Sequence, residues 1–355
     1  MYKKTTLLFL IVASFLKANA AILLVNNTPG GPGQYTQIND AVAAAANGDT
    51  IYVSGSATIY ADATINKNIT LVGPGTFTDK QLQLKARIPV LALASNISNV
   101  KIMGLTLGLI GGSNTSNINN LDISFNNFES GYWYSFVGIT NCTNWNIHNN
   151  VFSTGPNGFW SDACKISSNG GCVNFVIQNN IFHSNYTDQW IKTFNIPNGV
   201  IIHNTFISSA SNALQIFAGL SSITIQNNIF YNCDPTLGIT SSAYNNYISY
   251  SNGAPFSIMG GSNIDNVDPL FVNAIAGNGF SISNNYNLQT ASVANNAASD
   301  GTDIGYYGSI ASNELSPRGE VYNVPVIRNM IIQNFNVPQN GNVNVKVRST
   351  KSRTN

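Results

Sequence analysis

Two short segments near the middle of the chain, GFWSDACK (Gly158–Lys165) and SNYTDQWIK (Ser184–Lys192), each hold a carboxylate, an amine and an indole. Asp162 and Asp188 are a candidate pair of carboxylates for activating a water between them, as hydrolysis of a glycosidic bond requires. Lys165 and Lys192 are candidate bases for an elimination on a uronate sugar. Trp133, Trp160, Tyr186 and Trp190 supply flat faces of the kind that hold sugar rings. The candidate catalytic residues are therefore Asp162, Lys165, Asp188 and Lys192, and the candidate substrate-binding residues are the four aromatics. No cofactor is implied, and no Cys, His or Asp spacing reads as a metal site. A competing reading uses the same residues structurally. Phe136, Trp160 and Trp190 fall at one count after a repeated Asn and so could form a core column, with the two Asp in turns or paired with the two Lys.

Either reading needs a scaffold that brings segments about 25 residues apart side by side. The chain supplies one as a repeat. The pattern Ile-x-x-Asn-x-Phe occurs around Asn126, Asn150, Asn180, Asn204 and Asn228, with a degenerate copy at Asn246 between Ala243 and Ile248. The spacings are 24, 30, 24, 24 and 18 residues. An earlier frame, Ile102, Leu105 and Leu107, has the same phase. Repeats of this period indicate a solenoid. The apolar spacing within a copy is not the i, i+3, i+4, i+7 of a helix, so each copy reads as strand, bend, strand. Asn tolerates left-handed backbone at a bend, and identical bends one rung apart can pair their amides as a ladder. With rungs about 4.8 Å apart, Asp162 and Asp188 would stand roughly 8 Å apart.

The fold class is all-β: a right-handed parallel β-helix (solenoid) of about ten coils between Ile51 and Gly308, roughly 24 residues each. A short N-terminal capping helix is expected from about Tyr35 to Ala46, stopped by Gly48 and followed by the strand Thr50–Val53. A C-terminal β-hairpin is expected from Ile331–Val337 and Asn342–Val347 around a turn at Pro338–Gly341, with a basic tail at Lys346, Arg348, Lys351 and Arg353. That tail reads either as solvated chain or as an attachment signal. The expected division is 1–20 signal peptide, 21–310 β-helix and 311–355 hairpin and tail.

Composition fits the solenoid. Charged residues are 9% of the chain and hydrophobic residues 43%, with a formal net charge of +1. No strong field draws the protein to nucleic acid. Lys3 and Lys4, the apolar run Leu7–Leu16 and the small residues Ala18-Asn19-Ala20 read as a secretory signal, which places the protein outside the cell or on its surface. No transmembrane segment is expected, and the oligomeric state is unknown. Among the four cysteines, Cys142 and Cys172 each precede a ladder Asn by eight residues and share a column. They read as buried thiols, with a Cys164–Cys172 disulfide as the alternative. His148 and His203 read as solvent-facing ladder members, and His183 stacks in phase with Glu129.

The segment GGPGQYTQINDAVAAAANGDTIYV, the N-N-x-F coils, and the late motifs NVDPLF (Asn266–Phe271) and DIGYYG (Asp303–Gly308) resemble secreted right-handed β-helix repeat proteins of the pectin-lyase-like superfamily. The resemblance covers about Leu24 to Gly308 and implies that the last two motifs close the helix. It does not select an activity. The calcium-dependent pectate lyase pattern and the polygalacturonase signatures are both missing. Two functions therefore stand: a secreted protein that binds, and as an enzyme would cleave, polysaccharide; and a non-catalytic surface, adhesive or structural β-helix. The direction in which Asp162, Lys165, Asp188 and Lys192 point separates them.

Overall fold

The computed structural model describes residues 20–75, 84–130, 136–154, 166–168, 171–184, 191–193, 199–208, 213–214, 217–218, 223–234, 243–245, 248–250, 262–274, 284–309, 326–332 and 345–350. Two parallel sheets run the length of a β-helix. The first has ten strands in sequence order, from Ile22–Val25 through Thr50–Val53, Asn119–Ser124 and Thr143–His148 to Ala243–Asn245. Among the described residues this sheet therefore begins at Ile22, ahead of the expected Ile51, and its last strand is Ala243–Asn245.

Period-2 alternation and register explain the core. Leu23, Ile51, Leu71, Ile102, Ile123, Ile147, Ile177, Ile201 and Ile225 pair rung to rung in the first sheet, and all are buried. In the second sheet Leu107, Phe128, Phe152, Phe182, Phe206 and Phe230 form the facing column. The five Phe rings stack with centroids 4.5, 4.7, 4.9 and 5.2 Å apart, so ring spacing matches the rung spacing. The degenerate last copy is offset by one: Ile225 pairs with Tyr244 and Phe230 with Ser249, not with Ala243 and Ile248.

Between these columns lies the buried asparagine ladder. Asn180 donates from Nδ2 to Ile147 O (2.8 Å), Gln178 O (2.9 Å) and Asn204 Oδ1 (3.0 Å). Its Oδ1 accepts from Asn150 N (2.9 Å) and Asn150 Nδ2 (3.0 Å). Asn126, Asn150 and Asn204 repeat the scheme. The left-handed residue of each bend is not the ladder Asn but the one before it: Phe125, Asn149, Asn179, His203 and Asn227, with φ of 56, 58, 51, 53 and 56°. The bend thus uses one residue, most often Asn, for its backbone and the following Asn for its amide. A second ladder stands outside, where Asn120, Asn144 and Asn174 donate to Asn99, Asn120 and Asn144 at 2.9, 3.0 and 3.1 Å.

The N-terminal helix is Ile38–Ala44, shorter than expected, and buries Ile38, Ala41 and Val42 on the first coils. The structure joins Cys142 to Cys172, with Cα atoms 4.3 Å apart. The shared column brings these two sulfurs together, so the expectation of buried thiols fails at this pair. Cys172 is no longer available to Cys164, which lies outside the described residues, and Cys233 is buried with its thiol donating to Phe206 O at 3.5 Å.

The two late motifs part company: NVDPLF lies against the strand Ile248–Tyr250, where Val267 N donates to Ser249 O (3.1 Å), and DIGYYG folds back. Residues 285–308 fold back as a strap over the outer wall of the second sheet. Ala294, Ala298, Ile304 and Tyr306 cover Val151, Ile181, Ile207 and Ile229. Asn179 donates to Tyr306 O (2.9 Å) and Gly308 O (2.7 Å), and Gly305 N donates to Asn227 O (2.9 Å). At Gly305, φ is 95° and a Cβ would press into Ile229, which explains that glycine of DIGYYG. The C-terminal hairpin is present but pairs Val326–Ile332 with Val345–Thr350, so its first strand starts earlier and its second ends later than the pattern suggested, and the expected turn at 338–341 lies outside the described residues. Among the described residues no helix is long and apolar enough to cross a membrane.

Candidate functional site

The segments expected to carry the site connect strands at the place where the second sheet splits. The long strand Thr106–Ser116 pairs at its start with Asn127–Ser130 and at its end with Phe136–Thr140. Below it the same wall is two strand columns: Asn127–Ser130, Val151–Thr154 and Ile181–Ser184 in one, and Phe136–Thr140, Ile166–Ser168 and Ile191–Thr193 in the other. The connections 131–135, 155–165 and 185–190 therefore leave consecutive rungs at the same edge. Trp133, Trp160, Asp162, Lys165, Tyr186, Asp188 and Trp190 belong to these connections and lie outside the described residues. Lys192 stands in the strand Ile191–Thr193, in register with Ser167.

That register corrects one alignment. Phe136 pairs with Ile166, and Ile166 with Ile191, so Trp160 and Trp190 are not the residues in line with Phe136. Counting forward from the ladder Asn fails because the connections differ in length, and the extra residues of the long coil precede Ile166. Among the described residues the interior indole is Trp145, stacked on Phe175 at 5.8 Å, with its Nε1 donating to Ile118 O at 3.0 Å.

The described wall beside this edge carries Glu129, Ser153 and His183. Lys85 Nζ lies 2.7 Å from Glu129 Oε1, Arg87 Nε 3.7 Å from Oε2, and Asn127 Nδ2 donates to Oε1 at 2.8 Å. Glu129 is thus held by two cations and an amide. His183 is buried, and desolvation pushes its pKa down to about 4, too low for an effective base near neutrality. Pairing it with Glu129 as a proton relay gains nothing from this environment.

His203 corrects another expectation. It does not face solvent: it is 1% exposed, lies under the strap, and bonds Asp300 Oδ2 through Nε2 at 3.1 Å. Burial lowers its pKa, and Asp300 works against that shift. Asp300 is itself lowered: desolvation opposes its charge, but hydrogen bonds from Thr302 and the neighbouring His203 outweigh it. His148 differs from His203. It stands half-buried on the outer face of the first sheet, 3.2 Å from Asp122, a cluster that the repeat count alone did not single out. Its signal in the sequence was the concentration of Lys101, Asp122 and His148 on successive rungs of a chain poor in charge.

Among the described residues no group of three or more His, Cys, Asp or Glu is arranged to hold a metal ion. No protein-family model matches the chain, and no curated protein matches it. Fold and geometry carry the functional argument.

Proposed function

We propose that this is an exported β-helix protein, of the pectin-lyase-like kind, that binds polysaccharide along the edge of the split sheet through Trp133, Trp160, Tyr186 and Trp190. The supporting observation is that three in-register strands, Asn127–Ser130, Val151–Thr154 and Ile181–Ser184, end on consecutive rungs where the connections bearing these aromatics begin. A rigid scaffold that delivers variable loops to one edge is the usual seat of recognition. Cleavage at that edge falls to Asp162, Lys165, Asp188 and Lys192. The scaffold reading has its own support, because the ionisable groups on the adjoining wall, Lys85, Arg87 and Glu129, are already committed to one another.

The test is a broad glycan panel with the intact chain and with Trp160→Ala/Trp190→Ala. Binding lost in a variant that keeps its melting temperature supports the edge. An unfolded double variant makes those rings core, and no binding by the native chain leaves the scaffold reading. Turnover abolished by Asp162→Ala and Lys192→Ala while binding persists assigns cleavage to the same edge.

A further inference from the structure

The geometry points to a second site, on the outer face of the first sheet, in which His148 acts as general base, oriented by Asp122, to hydrolyse an O-acyl ester. It does not rest on the glycan-binding reading, since it occupies the other sheet and can be tested with a small ester.

Three strands build it. Lys101, Asp122 and Asn146 are register partners on successive rungs, and His148 lies two residues beyond Asn146 on the same face. A carboxylate only accepts, so the 3.2 Å bond between Asp122 Oδ1 and His148 Nε2 fixes the proton on Nε2. Nδ1 is then a lone pair with no partner among the described residues. Asp122 is suited to this task. Burial opposes its charge, but hydrogen bonds from His148 and Ser124 and the field of Lys101 hold it below the ordinary carboxylate value.

Two further features separate this pair from a solvated ion pair. Phe125 sits edge-on to the imidazole, with centroids 6.0 Å apart, and has φ of 56° where most other rungs use Asn. A bulky side chain in left-handed backbone is costly, and such residues concentrate at functional sites. Beside His148, Asn146 accepts from Gln178 Nε2 at 3.3 Å, and its own amide N–H groups have no acceptor among the described residues. Those N–H groups and the exposed Lys101 ammonium are the donors available to a developing oxyanion.

The chemistry follows from what is present. Asp122 is the one carboxylate in this cluster and it is spent on His148, so the paired-carboxylate route to glycoside hydrolysis has no second member here. Water addition to an acyl carbon needs one base and oxyanion donors. His148 Nδ1 takes a proton as the water oxygen bonds to the acyl carbon, and Asn146 and Lys101 stabilise the oxyanion. The carbon–oxygen bond to the alcohol then breaks, and the imidazolium returns the proton to the leaving alkoxide. The products are a carboxylic acid and an alcohol.

The experiment uses the full chain with 4-nitrophenyl acetate and with an O-acetylated polysaccharide, following acid release. Turnover above that of equimolar free imidazole is expected. His148→Asn should lower kcat/KM about 100-fold or more at unchanged melting temperature. Asn146→Ala should lower kcat about 10-fold or more. Asp122 is a positioning residue: Asp122→Asn should lower kcat with little change in KM, and Asp122→Glu should restore part of it. Native turnover no faster than His148→Asn overturns the proposal. So does an Asp122→Asn loss explained wholly by a lowered melting temperature. Ester turnover without glycan binding at the other edge retains this site and removes that one; glycan binding without ester turnover does the reverse.

Discussion

Asparagine stands in two ladders, one buried and one exposed, and removing an amide from each should have unequal consequences. Asn180 is fully buried, and its Oδ1 receives the backbone N–H of Asn150 at 2.9 Å. In Asn180→Ala that N–H keeps no acceptor and no water can replace it, which alone costs about 1–3 kcal/mol. Gln178 O retains Asn149 N at 3.3 Å, but Ile147 O loses its Nδ2 donor. A total of about 2–4 kcal/mol is expected from these losses. Asn174 is exposed and donates to Asn144 Oδ1 at 3.1 Å, with φ of 55°. Ala there would add a left-handed backbone penalty, so Asn174→Gly is the clean comparison. Water replaces its amide, and the change should stay within about 0.5 kcal/mol. Urea midpoints at constant slope read both. Equal effects of the two substitutions would refute the assignment of stability to the inner ladder.

Three other outcomes follow from the same structure. Non-reducing peptide mapping should recover Cys142 linked to Cys172. Preventing that bond, which closes a separation of 30 residues, should cost about 3–4 kcal/mol in the chain-entropy account. The strap should loosen in acid: burial holds the folded His203 below the ordinary histidine value of 6.5, so its contribution is present above that pH and is lost as pH falls through the folded value. The protection factor of the Gly305 amide, whose N–H bonds Asn227 O, taken against its intrinsic exchange rate at each pH, should therefore fall as pH drops below about 6.5, and His203→Asn should flatten the dependence. Gly305→Ala, with its Cβ forced against Ile229 at φ of 95°, should release the strap to limited proteolysis while the Phe column stays folded.

The fold was legible because its signals are local and repeated. Ile147, Asn150 and Phe152 recur at fixed offsets, and each offset maps onto one inward column. Even so, the repeat is read with an anchor, and its reliability decays with distance from that anchor. Counting back from Asn150 and Asn180 aligned Cys142 with Cys172, because no insertion lies between. Counting forward misaligned Trp160 and Trp190 with Phe136, because connections of unequal length intervene. The fold-back of DIGYYG was not legible at all. Its partners Asn179, His203 and Asn227 look like any other bend residues in the sequence, and nothing local marks them as the ones to be covered. The outer-face cluster of Asp122 and His148 needed register as well as spacing, since the two residues meet diagonally across rungs.

The strap also sets an order of events during folding. Rung-to-rung bonds such as those of Asn180 span 24 or 30 residues, and each new coil can dock on the one before it as the chain lengthens. Asn179 waits for carbonyls 127 and 129 residues further on. Loop closure over such distances comes late and slows folding. Until residue 308 arrives, Val151, Ile181, Ile207 and Ile229 form an uncovered apolar stripe on a nearly finished wall. The solenoid is therefore at its stickiest just before completion, and a chain cut short of the strap should aggregate although every coil in it is formed.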